Sequence, residues 1–177
     1  MPRHHLSEAE LSLPHGWQDQ SVTSYVLPRP GDPRGVGEAT LVVTRDYEAV
    51  RELPAGEGFL DRYADRQLVE SARRLTKFEC VGRSAAAVGG RRALVVDTAW
   101  TLPDGQRVRQ RQAFVRLGDR VLVFTLTARA DDFDKYAGLW AEVAAGVQWR
   151  PGAGLPSIVM PPGPTPGGDA PGGRPSA

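Results

Sequence analysis

Three strand-like segments joined by tight-turn signals constrain the fold of this chain most. Residues 93–102, 107–117 and 120–128 are rich in the β-branched and aromatic residues typical of strands. Pro103-Asp104-Gly105 and Gly118-Asp119 separate them, and Asp-Gly readily supplies the positive φ that a hairpin turn needs. A weaker strand over 78–88 precedes the turn at 89–90. The pattern predicts an antiparallel meander of four strands.

Two segments instead show the apolar spacing of amphipathic helices. The first helix is predicted over 58–77, with one face made of Leu60, Tyr63, Ala64, Gln67, Leu68, Ser71 and Leu75. The second is predicted to begin near Asp131, whose carboxylate suits an N-cap, and to end at Gly146. Its apolar face holds Phe133, Tyr136, Ala137, Trp140, Val143 and Ala144.

Three further strands are predicted before the first helix, around residues 9–13, 21–27 and 39–45. The element order is then βββ-α-ββββ-α. Hairpin-connected strands with segregated helices indicate an α+β fold, a mainly antiparallel β-sheet with helices packed on it.

Glycine and proline are concentrated at the C-terminal end. Of the 20 Gly and 15 Pro in 177 residues, 7 Gly and 8 Pro fall within 151–177. Such a composition buries too little apolar surface to offset the entropy of ordering the chain. We therefore predict one folded domain over 1–150 and a disordered Pro/Gly-rich tail over 151–177.

Charge and side-chain chemistry exclude several classes of function. With 22 Lys+Arg against 21 Asp+Glu, the chain lacks the basic excess of most nucleic-acid-binding domains. Its three histidines show no ligand spacing, and its single cysteine, Cys80, is expected to be a packed thiol. No phosphate-binding loop or catalytic arrangement is present. We expect no enzyme activity, no cofactor, no metal and no nucleic-acid partner.

The N-terminal segment has no signal-peptide pattern, and no segment approaches the ~20 apolar residues of a membrane span. These features predict a cytoplasmic protein that does not insert stably into a membrane.

The strand over 107–117 presents two different faces. Arg107, Arg109 and Arg111 share one face, which is expected to be solvated or salt-bridged. Val108, Gln110, Gln112 and Phe114 share the other. Amides among apolar residues are compatible with a plain exposed sheet face. They are equally compatible with a binding surface that offers hydrogen bonds in an apolar setting. Gln67, an amide within the apolar stripe of the first helix, fits the second interpretation.

Several short motifs resemble the DcrB-related family. They are residues 13–22 (LPHGWQDQSV), 44–46 (TRD), 63–68 (YADRQL), 111–113 (RQA) and 123–127 (VFTLT). The resemblance covers about residues 6–149 and implies the PsbP-like α/β/α sandwich. Within the family, the chain is most similar to the Eag chaperones of type VI secretion.

That resemblance implies a homodimeric, cytoplasmic chaperone and adaptor. Its partner would be the hydrophobic N-terminal region of a secreted PAAR- or Rhs-type effector, whose transmembrane helices it shields and helps load on the secretion spike. The alternative is a generic PsbP-like ligand- or protein-binding domain with a different partner. From the resemblance and the facing pattern, the expected contact residues are Val22, Ser24, Val43, Gln67, Leu75, Val108, Gln110, Gln112 and Leu122.

Overall fold

Long antiparallel strands dominate the computed structural model of this protein. The structure describes residues 3–5, 10–12, 22–28 and 37–150, so the predicted tail and most of the motif at 13–22 lie outside the described residues. The strands are β1 (Arg3–His5), β2 (Glu10–Ser12), β3 (Thr23–Pro28), β4 (Gly37–Asp46), β5 (Thr76–Val88), β6 (Arg91–Thr101), β7 (Arg107–Leu117) and β8 (Arg120–Arg129).

The helices differ from the sequence prediction in three respects. A short helix, α1 (Glu48–Glu52), was not predicted, and it precedes α2 (Phe59–Arg74). The first predicted helix is therefore α2, and it ends earlier because Leu75 is already extended and β5 begins at Thr76. The prediction of Asp131 as an N-cap is wrong, because Ala130–Tyr136 forms a 3-10 helix that contains it and precedes α3 (Ala137–Gly146).

Six strands form one sheet in the order β3-β4-β8-β7-β6-β5, and every neighbouring pair is antiparallel. The predicted meander is the β5–β8 part of this sheet. β1 and β2 form a separate two-stranded sheet. The α+β class, with a mainly antiparallel sheet and helices packed on it, is confirmed.

The two faces of the large sheet bury two separate cores. On the α2 face, Phe114 lies between Leu94 and Val123 across the strands and packs with Tyr63 of α2. On the α3 face, Ala113, Val115 and Phe124 pack against Phe133, Tyr136 and Trp140. Alternation along each strand therefore sends neighbouring residues into different cores.

After α3, the end of the described region packs against the sheet through Trp149. Its indole N–H donates to the carbonyls of Val88 and Gly89, at 3.2 and 2.9 Å. Gly89 has φ +53°, and a Cβ there would lie 2.4 Å from the carbonyl oxygen of Val147. Only glycine fits this turn, because both the positive φ and the close approach exclude a side chain.

Candidate functional site

Among the described residues, no helix lies over part of the α2 face. α2 lies over β5, β6 and β7, and α1 packs against β8, so neither described helix covers the β3–β4 side of the sheet. We call this area the open floor, and each of its residues is exposed or half-buried. It consists of Val22, Ser24, Val26, Thr40, Val42, Thr44, Gln110, Gln112, Thr125 and Thr127.

Apolar and hydrogen-bonding side chains alternate across the open floor. Ser24 pairs with Val42, Val42 with Thr125, and Thr125 with Gln112, which makes one row across four strands. Val22 and Val26 flank this row and are 62% and 50% exposed. Tyr25 and Leu27, on the other face of β3, are also exposed, at 59% and 41%, so this edge of the sheet presents apolar side chains on both faces.

A cleft of about 380 Å³ lies where the open floor meets α2. Gln67 of α2 and Gln112 of β7 line it, together with Thr44, Tyr63 and Thr125. Neither amide has a hydrogen-bond partner among the described residues, although both are half-buried. Gln110 differs, because its amide nitrogen donates to Thr127 Oγ1 at 3.1 Å. Two amides are thus open to a partner.

Two other polar side chains of the cleft, Tyr63 and Asp46, are hydrogen-bonded to each other. Tyr63 donates its hydroxyl proton to Asp46 Oδ2 at 3.1 Å, and Asp46 Oδ1 accepts from the Ala49 amide at 2.9 Å. Burial, and then the Asp46 carboxylate, raise the pKa of Tyr63 well above its ordinary value. The phenol stays neutral at physiological pH and holds its hydrogen bond. This pair therefore fixes the wall of the cleft.

Five of the nine expected contact residues meet here. Val22, Ser24, Gln110 and Gln112 belong to the open floor, and Gln67 faces it from α2. Leu75 lies at the end of α2, and Val108 is buried on the same face of the sheet.

Val43 and Leu122 do not join this surface. Val43 pairs with Phe124, and Leu122 with Val115, so both side chains lie on the α3 face and pack against its core. They therefore do not share a face with the other expected contact residues, because alternation alone leaves the pairing between strands undetermined.

Six residues of the open floor were not among the expected contact residues: Val26, Thr40, Val42, Thr44, Thr125 and Thr127. Val26 continues the alternation of Val22 and Ser24, so that signal was present in the sequence. The other five required the register of β4 against β8.

The arginine stripe of β7 is salt-bridged, as expected. Arg107 pairs with Glu79, Arg109 with Asp134 at 3.0 Å, and Arg111 with Asp97 through two hydrogen bonds of 2.8 and 2.7 Å. This face is therefore largely neutralised.

Cys80, in contrast, is exposed, and the prediction of a packed thiol is wrong. It lies on β5, which is an edge strand of the sheet.

Two absences can be stated for the part of the chain that the structure describes. No helix there has both the length and the apolar character needed to cross a bilayer. No cluster of three or more His, Cys, Asp or Glu side chains is placed there to hold a metal ion.

Comparison with known proteins identifies relatives for nearly the whole described region. A family model named DcrB matches residues 8–145. A protein named Effector EagT6, from Pseudomonas aeruginosa, is 30% identical over 151 residues, which cover 85% of this chain and 98% of that protein.

One solved structure of a relative at the same identity shares the fold. A crystal structure of PA94 from Pseudomonas aeruginosa, titled a protein of unknown function and putative regulator, superposes with a TM-score of 0.69 at 30% identity, covering 85% of this chain and 98% of that one. The solution structure of cyanobacterial PsbP from Synechocystis sp. PCC 6803 gives a TM-score of 0.43 at 14% identity, covering 76% and 96%. The chain belongs to the DcrB family.

Proposed function

We propose that this protein is a cytoplasmic, non-catalytic chaperone and adaptor for a type VI secretion effector. It binds the hydrophobic N-terminal helices of the effector, keeps them from aggregating, and helps load the effector on the secretion spike. The identity with EagT6, across nearly the whole of that protein, supports the proposal. The observation that carries it is the pair of unpartnered amides, Gln67 and Gln112, beside an exposed aliphatic surface.

The part of the open floor on β3, β4 and β8 is about as wide as one helix. Neighbouring strands lie about 4.8 Å apart, so these three strands span about 10 Å between the outer two. An α-helix with its side chains is about 10 Å across. A helix laid beside α2 would contact Val22, Val26 and Val42 below and Gln67 at its side.

The chemistry of the surface suits a membrane helix in water. Such a helix exposes apolar side chains all round, and in membranes it packs through small residues and interhelical hydrogen bonds. Valines of the open floor remove apolar area from water, at about 25 cal/mol per Å². The amides of Gln67 and Gln112 supply hydrogen bonds to polar positions of the client.

Co-expression with the N-terminal segment of an effector whose gene lies next to the gene of this protein tests the proposal. Val22→Asp places a carboxylate in the apolar contact and is expected to weaken the complex about tenfold or more. Val81→Asp is the matched control, because Val81 is 47% exposed on β5 at the opposite edge. Affinity is measured by titration of the purified chaperone against a labelled client peptide.

Gln112→Ala removes one open amide and is expected to weaken binding about fivefold. Gln148→Ala, at an exposed position after α3, is its control and leaves the affinity unchanged. A client that is equally soluble and stable without this protein would overturn the chaperone role. Equal effects of Val22→Asp and Val81→Asp would instead favour a binding domain that uses another surface.

We propose further that the protein acts as a homodimer, which the resemblance to the Eag chaperones supports. Light scattering at micromolar concentration is expected to give twice the chain mass of 19.2 kDa. A monomer under these conditions contradicts this part of the proposal and leaves the client-binding surface to be judged on its own test.

A further inference from the structure

A second cavity lies at the start of α2, away from the open floor. It has a volume of about 360 Å³ and is lined by the loop before α2, the first residues of α2, and three arginines. Arg91 and Arg92 come from the beginning of β6, and Arg116 comes from the end of β7. We call it the arginine cavity.

Arg92 and Arg116 lie on the same face of the sheet. The β6–β7 register ends with Leu94 paired to Phe114, and each arginine lies two residues beyond that pair, on the α2 face. Both line the arginine cavity. Like charges on neighbouring strands destabilise the pair, so their placement costs stability unless an anion compensates it.

No carboxylate among the described residues forms an ion pair with Arg92 or Arg116. Glu57 and Asp61 line the cavity, but neither forms an ion pair with these two guanidinium groups. The other end of β7 is different, because Arg107, Arg109 and Arg111 there each pair with an acidic residue. Within β7, Arg116 thus differs from the other three arginines, because no described carboxylate forms an ion pair with it.

The guanidinium of Arg116 is held in place before any ligand arrives. It stacks on the ring of Phe59, with 4.4 Å between the guanidinium carbon and the ring centroid. Stacking occupies the flat face of the group and leaves its N–H edges to donate in plane. The guanidinium of Arg91 lies instead over Trp149, at 5.2 Å, and Trp149 packs against the α3-face core, on the other side of the sheet from Phe59.

We propose that the arginine cavity binds a phosphate monoester. A monoester carries a charge of about −1.5 to −2 and three strong acceptor oxygens, which suits the two guanidinium groups of Arg92 and Arg116 better than a two-oxygen carboxylate does. The positive end of the α2 dipole, where Gly58 caps the helix without a side chain, adds to the attraction. The volume leaves room for the group that carries the phosphate.

Calorimetric titration of the full chain with glycerol 3-phosphate tests the site, with glycerol at matched ionic strength as the blank. Saturable binding is expected, and R92Q/R116Q weakens it at least about tenfold. R73Q/R74Q removes the same charge from the exposed end of α2 and leaves binding unchanged. Without phosphate, R92Q/R116Q unfolds at the same urea concentration as the parent or a higher one, which excludes a folding defect.

The source of the phosphate is assigned by sedimentation with vesicles. Binding to phosphatidylcholine vesicles that contain phosphatidic acid, and not to pure phosphatidylcholine, identifies a lipid headgroup. Binding of glycerol 3-phosphate without vesicle binding identifies a free metabolite. No saturable binding to either probe, or equal weakening by both double variants, overturns the proposal. Client binding does not involve these arginines, so its outcome is independent.

Discussion

Replacing Gly89 by alanine gives a sharp test of how the end of the domain is held. The new Cβ would lie 2.4 Å from the Val147 carbonyl oxygen and 2.6 Å from Trp149 Nε1. Gly90 is the control, because its φ is +75° and a Cβ there meets nothing within 4 Å. Both variants share the backbone strain, and only Gly89→Ala displaces the segment that carries Trp149.

The expected magnitudes follow from these contacts. A left-handed alanine costs about 1–2 kcal/mol, partly offset by the lower entropy of the unfolded chain, so Gly90→Ala loses about 1 kcal/mol. Gly89→Ala loses the same amount, about 1 kcal/mol for the indole hydrogen bond, and about 1 kcal/mol for the edge-to-face contact of Trp149 with Phe124. The total is about 3 kcal/mol.

Urea unfolding followed by circular dichroism measures the difference of about 2 kcal/mol, with an unchanged denaturant slope. In a thermal melt, the same difference lowers the Tm of Gly89→Ala by about 4–8 °C relative to Gly90→Ala. If the two variants agree within about 0.5 kcal/mol, Trp149 does not stabilise the domain through Gly89, and the reasoning fails.

Three further outcomes are expected from unfolding measurements. Asp97→Ala leaves the half-buried Arg111 without its ion pair and lowers the free energy of unfolding by about 2 kcal/mol. Asp134→Ala removes a carboxylate that is 89% exposed and lowers it by less than about 0.5 kcal/mol, and equal losses would contradict this reasoning. Burial and Asp46 raise the pKa of Tyr63, so the folded protein resists ionisation of this phenol and its stability falls above about pH 10. Tyr63→Phe removes up to about 1.4 kcal/mol of that loss per pH unit, so the difference between urea midpoints at about pH 9 and pH 11 is smaller in the variant than in the parent. Removal of 151–177 leaves the urea midpoint unchanged, and a shift above about 0.5 kcal/mol would place part of that segment in the domain.

Local sequence signals were sufficient for the elements themselves. Asp104-Gly105 marked the turn between β6 and β7, and the spacing of Leu60, Tyr63 and Ala64 marked the buried face of α2. α1 was missed because five residues hold too few turns to show a helical period. The N-cap at Asp131 failed because a 3-10 segment carries the same residues into the core before α3 begins.

Only part of the candidate site could be predicted from the sequence, because alternation and strand register carry different information. Alternation shows which residues of one strand share a face, so Gln110 and Gln112 were placed together correctly. The facing of one strand against another depends on register, which placed Val42 on the open floor and Val43 in the opposite core.

The sequence by itself determined the strands, the two main helices and the mixture of amides with valines. Only the tertiary structure decided that α2 covers half of one sheet face, which leaves the other half open beside Gln67. It also decided that Arg92 of β6 and Arg116 of β7 line one cavity at the start of α2. Both results depend on contacts between residues distant in the chain, and no local periodicity encodes such contacts.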